Sequence, residues 1–164
     1  MNPNSLRSIF ISLSLIAFAA CQSEGITLYS QIAKEGLTTA AVHFKLPEDA
    51  LLTTPQNIFI RLRNDNAYPY ANIFLLGTIK TGNRILLQDT LEYAMTTPDG
   101  QWLGTGFTEV KESKLWWKEG FVFPSDRPIT LAISQAMRNN GEEQGVNALK
   151  GILSVGITVE PQQQ

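Results

Sequence analysis

The chain has 164 residues, 43% of them apolar and 17% charged, with 13 basic against 15 acidic side chains and a formal net charge of −2. That length points to one domain, and without a basic block the chain lacks the electrostatic footprint of a nucleic-acid binder. A low charged fraction with plentiful Gly, Pro and Thr leans toward β structure.

In chain order the first element is a secretory signal. Arg7 is the only charged side chain before Glu24, and it stands just ahead of the apolar run Ile9 to Ala20. A short positive region followed by about a dozen apolar residues that end in small ones is the pattern of export. The run is too short to span a bilayer, which takes roughly 20 apolar residues. It closes Phe18-Ala19-Ala20-Cys21, and Cys21 is the only cysteine of the chain. A lone cysteine in an exported chain has no intramolecular partner and needs another use.

The small residues before Cys21 resemble the bacterial lipobox, with Phe18 standing where Leu is usual. That resemblance implies a diacylglycerol on the Cys21 sulfur, cleavage just before it and an acyl (palmitate-type) chain on its amine. A simple signal cut near Ala20 and an uncleaved anchor are the alternatives. Each buried methylene contributes about 0.8 kcal/mol, so two or more chains attach stably where one does not. The expected organisation is a lipoprotein signal over 1–20, a short tether over 21–25, one β-sandwich domain over 26–160 and a disordered tail over 161–164. Losing Arg7 leaves 12 basic residues in the mature part, whose modified Cys21 leaves no free thiol and no disulfide. Roughly 140 residues suffice for a core that needs no such staple.

From Ile26 the chain alternates strands and turns. The first two strands are expected over Ile26 to Ile32 and Thr39 to Leu46; in the second, Ala40, Val42, Phe44 and Leu46 share one face. Gln56 to Arg63 follows, with Ile58, Ile60 and Leu62 inward and Arg61 and Arg63 outward. Asn64 to Ala71 is a loop. Asn72 to Lys80 is nearly continuous apolar and therefore central, and Thr81-Gly82-Asn83 makes a hairpin reversal into Ile85 to Met95. There Ile85, Leu87, Leu91 and Tyr93 share a face that Asp89 interrupts, which points to an edge or a bulge. Thr97-Pro98-Asp99-Gly100 is a turn in which Pro presets φ and Gly accepts the left-handed conformation.

The later strands are expected over Lys114 to Phe123, Pro128 to Met137 and Ile152 to Glu160. Arg138 to Gly151 reads as a long polar loop with at most one helical turn, around Val146 to Leu149. About eight strands and no amphipathic helix argue for an all-β antiparallel sandwich, jelly-roll or Ig-like.

Chemistry-bearing residues are few. His43 is the only histidine and lies on the polar face of a strand, with no GxSxG elbow anywhere to display a nucleophile. No metal site is expected: His and Cys are too few, and Asn64-Asp65-Asn66 lacks the spacing of an EF-hand calcium loop. The acid pairs Glu109 with Glu112 and Asp89 with Glu92 read as solvated carboxylates, not a glycosidase dyad. No phosphate loop or dinucleotide fingerprint is present, so no cofactor, no small-molecule substrate and no enzyme activity are expected. Trp116 and Trp117 are adjacent, so on a strand they point to opposite faces, one into the core and one outward or beneath a loop. Trp102 follows the Pro-Asp-Gly turn and reads as a loop anchor.

Four stretches carry a family resemblance: NIFIRLRNDNAYPYANIFL (57–75), DTLEYAMTTPDGQWLGTGF (89–107), KESKLWWKEGFVFP (111–124) and ISQAMRNNGEEQGVNALKGILSVGITVE (133–160). With the lipobox before them, they resemble the GldH-type gliding motility lipoproteins of the Bacteroidota. The resemblance implies a lipoprotein of the cell envelope, in the outer membrane, linked to gliding and type IX secretion, with no catalytic residues to carry over. The expected partners are the membrane, through acylated Cys21, and other envelope proteins of that apparatus. The expected docking surface comprises the loop Asn64 to Ala71 with Tyr68 and Tyr70, the turn Asp99 to Gly106 with Trp102, and the exposed member of Trp116 and Trp117. These segments place Tyr, Pro, Gly and Trp in loops, where binding residues concentrate. A surface carbohydrate-binding module that stacks sugars on an exposed Trp is the alternative function.

Overall fold

The computed structural model describes residues 25–50, 52–139, 141 and 144–163; the signal segment and Cys21 lie outside the described residues. Among these residues the chain forms ten strands and no helix: β1 (Ile26–Gln31), β2 (Leu37–Thr38), β3 (Val42–Lys45), β4 (Gln56–Asn64), β5 (Asn72–Thr81), β6 (Arg84–Ala94), β7 (Lys111–Phe121), β8 (Ile129–Gln135), β9 (Ala148–Leu149) and β10 (Ile152–Pro161). Period-two patterning sets most of them. In β4, Ile58, Ile60 and Leu62 are fully buried while Arg61 and Arg63 stay partly exposed, and β5 alternates strictly between buried and half-buried along its length.

All pairs are antiparallel and they are nested. β1 pairs with β10, β2 with β9, β3 with β8, β4 with β7 and β5 with β6. The chain is thus doubled back on itself around the central β5–β6 hairpin and then wrapped. Wrapping brings β10 beside β4 and β8 beside β5, which yields one four-stranded sheet of order β1-β10-β4-β7 (sheet I) and another of order β3-β8-β5-β6 (sheet II). Among the antiparallel sandwiches this order is that of the jelly roll and not of the Ig fold. β5 is an interior strand of sheet II, as its continuous apolar sequence requires, and β6 is an edge, as Asp89 suggested.

The core fills the space between the sheets. Ile58, Ile60 and Leu62 from β4 and Val155, Ile157 and Val159 from β10 meet Ile73, Leu75, Ile79, Leu131 and Ile133 of sheet II. Trp117 enters from β7 and is 5% exposed. Its indole lies over Gly77 of β5, where a Cβ would sit 2.6 Å from the ring, and its Nε1 donates to the Asp89 carboxylate at 3.2 Å. Glycine in β5 and an acid in β6 thus have one cause, the seat of a single large ring.

Several expectations are corrected. Val146 to Leu149 makes no helical turn; Leu149 is fully buried and pairs with Leu37 to form β2–β9. Gln135, the last residue of β8, braces the chain that leads to β9, its amide donating to the Val146 carbonyl and its Oε1 accepting from Met137 N. β3 begins at Val42, not Thr39. β7 begins at Lys111, because Glu112 already pairs with Arg63 and bridges Thr105. Ile85 is exposed because a bulge opposite Ile79 and Lys80 reverses the faces of β6. At the far terminus Pro161 pairs with Gln56 and Gln162 N donates to Pro55, so the sheet extends into the expected tail.

Candidate partner-binding surface

Register fixes what the outer face of sheet I presents. Thr158, Phe59 and Trp116 stand in one row across β10, β4 and β7. Arg61 with Lys114, and Arg63 with Glu112, make the next two rows. Tyr29 reaches in from β1 across Gly156, where a Cβ would meet its ring at 2.7 Å. Its hydroxyl donates to Glu112 Oε1 at 2.8 Å while the Arg63 guanidinium lies 4.6 Å above its ring.

Glu112 is the hub of this face. Arg63 Nε donates to its Oε2 at 2.7 Å and Arg61 donates to its Oε1 at 3.3 Å. Partial burial pushes the Glu112 carboxyl up, but the hydrogen bonds from Arg63 and Tyr29 and the charges of both arginines outweigh that. The carboxyl therefore sits below the usual carboxylate range. Beside it the Lys114 ammonium lies 3.9 Å over the Phe59 ring and 3.0 Å from both Glu160 oxygens. Trp116 stacks edge-on against Phe59 with ring centroids 4.6 Å apart and keeps 48% of its surface exposed.

An open depression of about 340 Å³ adjoins this face where β6 and β7 leave the sheets. Arg61, Glu112 and Lys114 line it together with Leu103 and Thr105 of the β6–β7 connection, and Ala94, Ser113 and Leu115 complete it. Tyr93 closes the seam, its hydroxyl donating to the Trp116 carbonyl at 2.7 Å. Burial, reinforced by the nearby Asp89 charge, pushes the Tyr93 phenol up to about 12.

The expected loop residues do come together, at the end of the sandwich where β4, β6 and β8 finish. Trp102 Nε1 donates to Asn66 Oδ1 at 3.0 Å, Tyr68 lies 6.3 Å from the Trp102 ring and 5.6 Å from Tyr70, and Tyr70 donates to Asn139. The turn forms as its chemistry requires: Gly100 N donates to the Thr97 carbonyl, Gly100 has φ +86°, and Thr97 and Gln101 close its base. Tyr68 itself is 3% exposed and its hydroxyl donates to the Asn72 carbonyl at 2.7 Å, so burial drives its phenol far above the usual range. Tyr68 and Trp117 are core side chains and offer no ring to a partner. Tyr70 and Trp102 are half-buried, and Trp116, on the sheet face, is the exposed ring of the set.

The remaining candidates are separated. His43 is exposed on β3, on the sheet opposite Glu112, and Glu109 is exposed in the β6–β7 connection. Asp89 is bonded to Trp117, and Glu92 accepts from Asn72. In the Asn64-Asp65-Asn66 loop, Asp65 Oδ1 caps the Ala67 amide and Asn66 holds Trp102, so both of these side chains serve the loop's own structure. Among the described residues no cluster of three His, Cys, Asp or Glu side chains is placed to hold a metal.

Sequence reading missed two features here. The Tyr29–Arg63–Glu112–Arg61 network joins strands that are remote in sequence; only the outward alternation of Arg61 and Arg63 announced it. Phe107, one residue beyond the expected turn surface, is fully exposed, with Leu103 and Val110 also exposed beside it in sequence. The pattern Gly-Thr-Gly-Phe was its only signal.

Fold and surface define the class: an all-β jelly roll that carries an aromatic loop end and a charged sheet face. The family described as the GldH lipoprotein matches residues 29–159. The chain is 40% identical over 154 residues to the gliding motility lipoprotein GldH homolog of Christiangramia forsetii, covering 93% of this chain and 94% of that one. It is 37% identical over 153 residues to the gliding motility lipoprotein GldH of Flavobacterium johnsoniae, with 93% and 94% covered. The chain belongs to the GldH lipoprotein family and is accordingly a lipoprotein of the cell envelope.

Proposed function

We propose that this protein is a non-catalytic accessory component of the gliding motility and type IX secretion apparatus, held at the outer membrane by acylated Cys21. Its work is binding: lipid attachment concentrates the jelly roll at the membrane, and one end of it docks an envelope protein. The docking surface comprises Tyr70, Trp102, the exposed Leu103 and Phe107, and the adjoining depression. The observation that carries this reading is the likeness, over 93% of the chain, to two proteins named for gliding motility. Clustering of Tyr, Trp and exposed apolar side chains on loops supports docking there, because interface anchors are drawn from such residues.

Mild cross-linking and co-purification of the tagged native protein, with a Cys21→Ala control, tests the proposal. Recovery of motility or secretion components, lost in the control, is the expected result. Their absence from the native preparation would overturn it. A second reading, carbohydrate binding, rests on Trp116, exposed on a jelly-roll sheet face. It predicts a Trp fluorescence change on titration with envelope polysaccharide that Trp116→Ala abolishes.

A further inference from the structure

The direction of every strand sorts the connections into two ends. β1 starts, and β5, β7 and β10 finish, at one end, which also holds the Gly82–Asn83 hairpin and the segment 122–128. The loop 65–71, the β6–β7 connection and residues 136–139 and 144–147 lie at the other. Ile26, where β1 starts, lies at the first end, opposite the aromatic loops.

We propose that this first end is a lipid-facing surface on which the jelly roll stands, with Val122 and Ile85 against the membrane and Phe107 directed away from it. The proposal rests on the reading that Cys21 carries the lipid. Reach excludes the inverted orientation. Five residue steps from Cys21 to Ile26 span at most about 18 Å when fully extended. Strands of the length of β5, β7 and β10 hold the two ends ~30 Å apart. An inverted domain, loop end down, would need Ile26 about 30 Å above the membrane, farther than the tether extends.

The chemistry of the end fits that seat. Val122 and Ile85 are large apolar side chains, 64% and 58% exposed, just past the end of β7 and at the start of β6, the edge strands of the two sheets. Part of the charge around them is held locally: Arg84 pairs with Asp126, Lys45 with Glu48, and Arg127 donates to the Pro124 and Ala50 carbonyls. Such an end meets a lipid headgroup layer through its apolar tips.

The native chain has a single cysteine, which acylation occupies, so introduced thiols can be labelled selectively. Val122→Cys, Ile85→Cys and Phe107→Cys would each be made in the full acylated chain and given an environment-sensitive fluorophore. Each is then reconstituted into phosphatidylethanolamine–phosphatidylglycerol vesicles that contain a headgroup spin-labelled lipid. Quenching is expected to be severalfold stronger at positions 122 and 85 than at 107. A chain that floats with the vesicles and shows equal quenching, or the strongest at 107, overturns the orientation alone. A chain that neither floats nor carries lipid mass on its N-terminal peptide overturns both the orientation and the acylation beneath it.

Discussion

At the tether end the connections 46–55, 82–83 and 122–128 contain no Tyr or Trp, and two of their acids are paired, Glu48 with Lys45 and Asp126 with Arg84. At the loop end the connections carry Tyr68, Tyr70, Trp102 and Phe107, and the rings of the first three pack into one cluster. Both ends close the same two sheets, and each buries an aromatic loop ring to do so, Phe123 at the tether end and Tyr68 at the loop end. What sets the loop end apart is rings that the core does not fully use: Phe107 is fully exposed, and Tyr70 and Trp102 are half-buried.

The largest effect should come from what the two ends share. Trp117→Ala removes a core ring and leaves Asp89 without its donor, so it should cost about 3–5 kcal/mol by denaturant unfolding. A loss under about 1 kcal/mol would mean that the seat over Gly77 is not formed. Glycines at the two ends sharpen the contrast. Gly151 has φ +80° and its added Cβ would lie 2.1 Å from the Tyr68 amide, whereas Gly82 has φ +52° and open space around it. Gly82→Ala should cost about 1–2 kcal/mol for the left-handed backbone alone. Gly151→Ala should cost more and should speed amide exchange in the loop 65–71; equal costs would count against the close approach of that loop to β10.

Glu112→Gln should have a smaller effect, roughly 1 kcal/mol or less, since the ion pairs of the sheet face are partly solvated. Its sign follows from the depressed folded value. Ionised Glu112 stabilises the fold above the ordinary value of 4.5, and that contribution is lost as pH falls through the lower folded value. The stability gap between parent and variant should therefore be steady near neutrality and close in acid; a gap that widens in acid would refute the network. The smallest effect on stability belongs to Phe107→Ser, within about 0.5 kcal/mol, although capture of partners should fall sharply. Trp102→Ala, which also gives up the bond to Asn66, should lose both partner capture and some loop order.

The eight long strands were legible because each buries one face, and period-two alternation in β3, β4 and β6 or a continuous apolar run in β5 is the direct imprint of that burial. Short strands were not. β2 and β9 exist because Gly36, at φ +100°, lets the chain pass against the Leu149 carbonyl, a contact between distant segments with no local period. The bulge that exposes Ile85 was invisible for the same reason. Of the candidate surface, the aromatic loops could be named from Pro, Gly and Trp content, but a residue's type does not reveal its depth. Tyr68 and Trp117 belong to the core, while Tyr29 and Glu112 acquire their roles only when nested pairing brings β1 and β7 to flank β10 and β4.

The central claim is that one end of the jelly roll meets the membrane and the other meets a protein. A photo-reactive amino acid placed at Phe107, and in a parallel strain at Val122, tests it in intact cells with the acylated protein. The account predicts that position 107 captures an envelope protein of the motility or secretion apparatus and that position 122 captures lipid. Capture of that protein from position 122, with none from position 107, would contradict it.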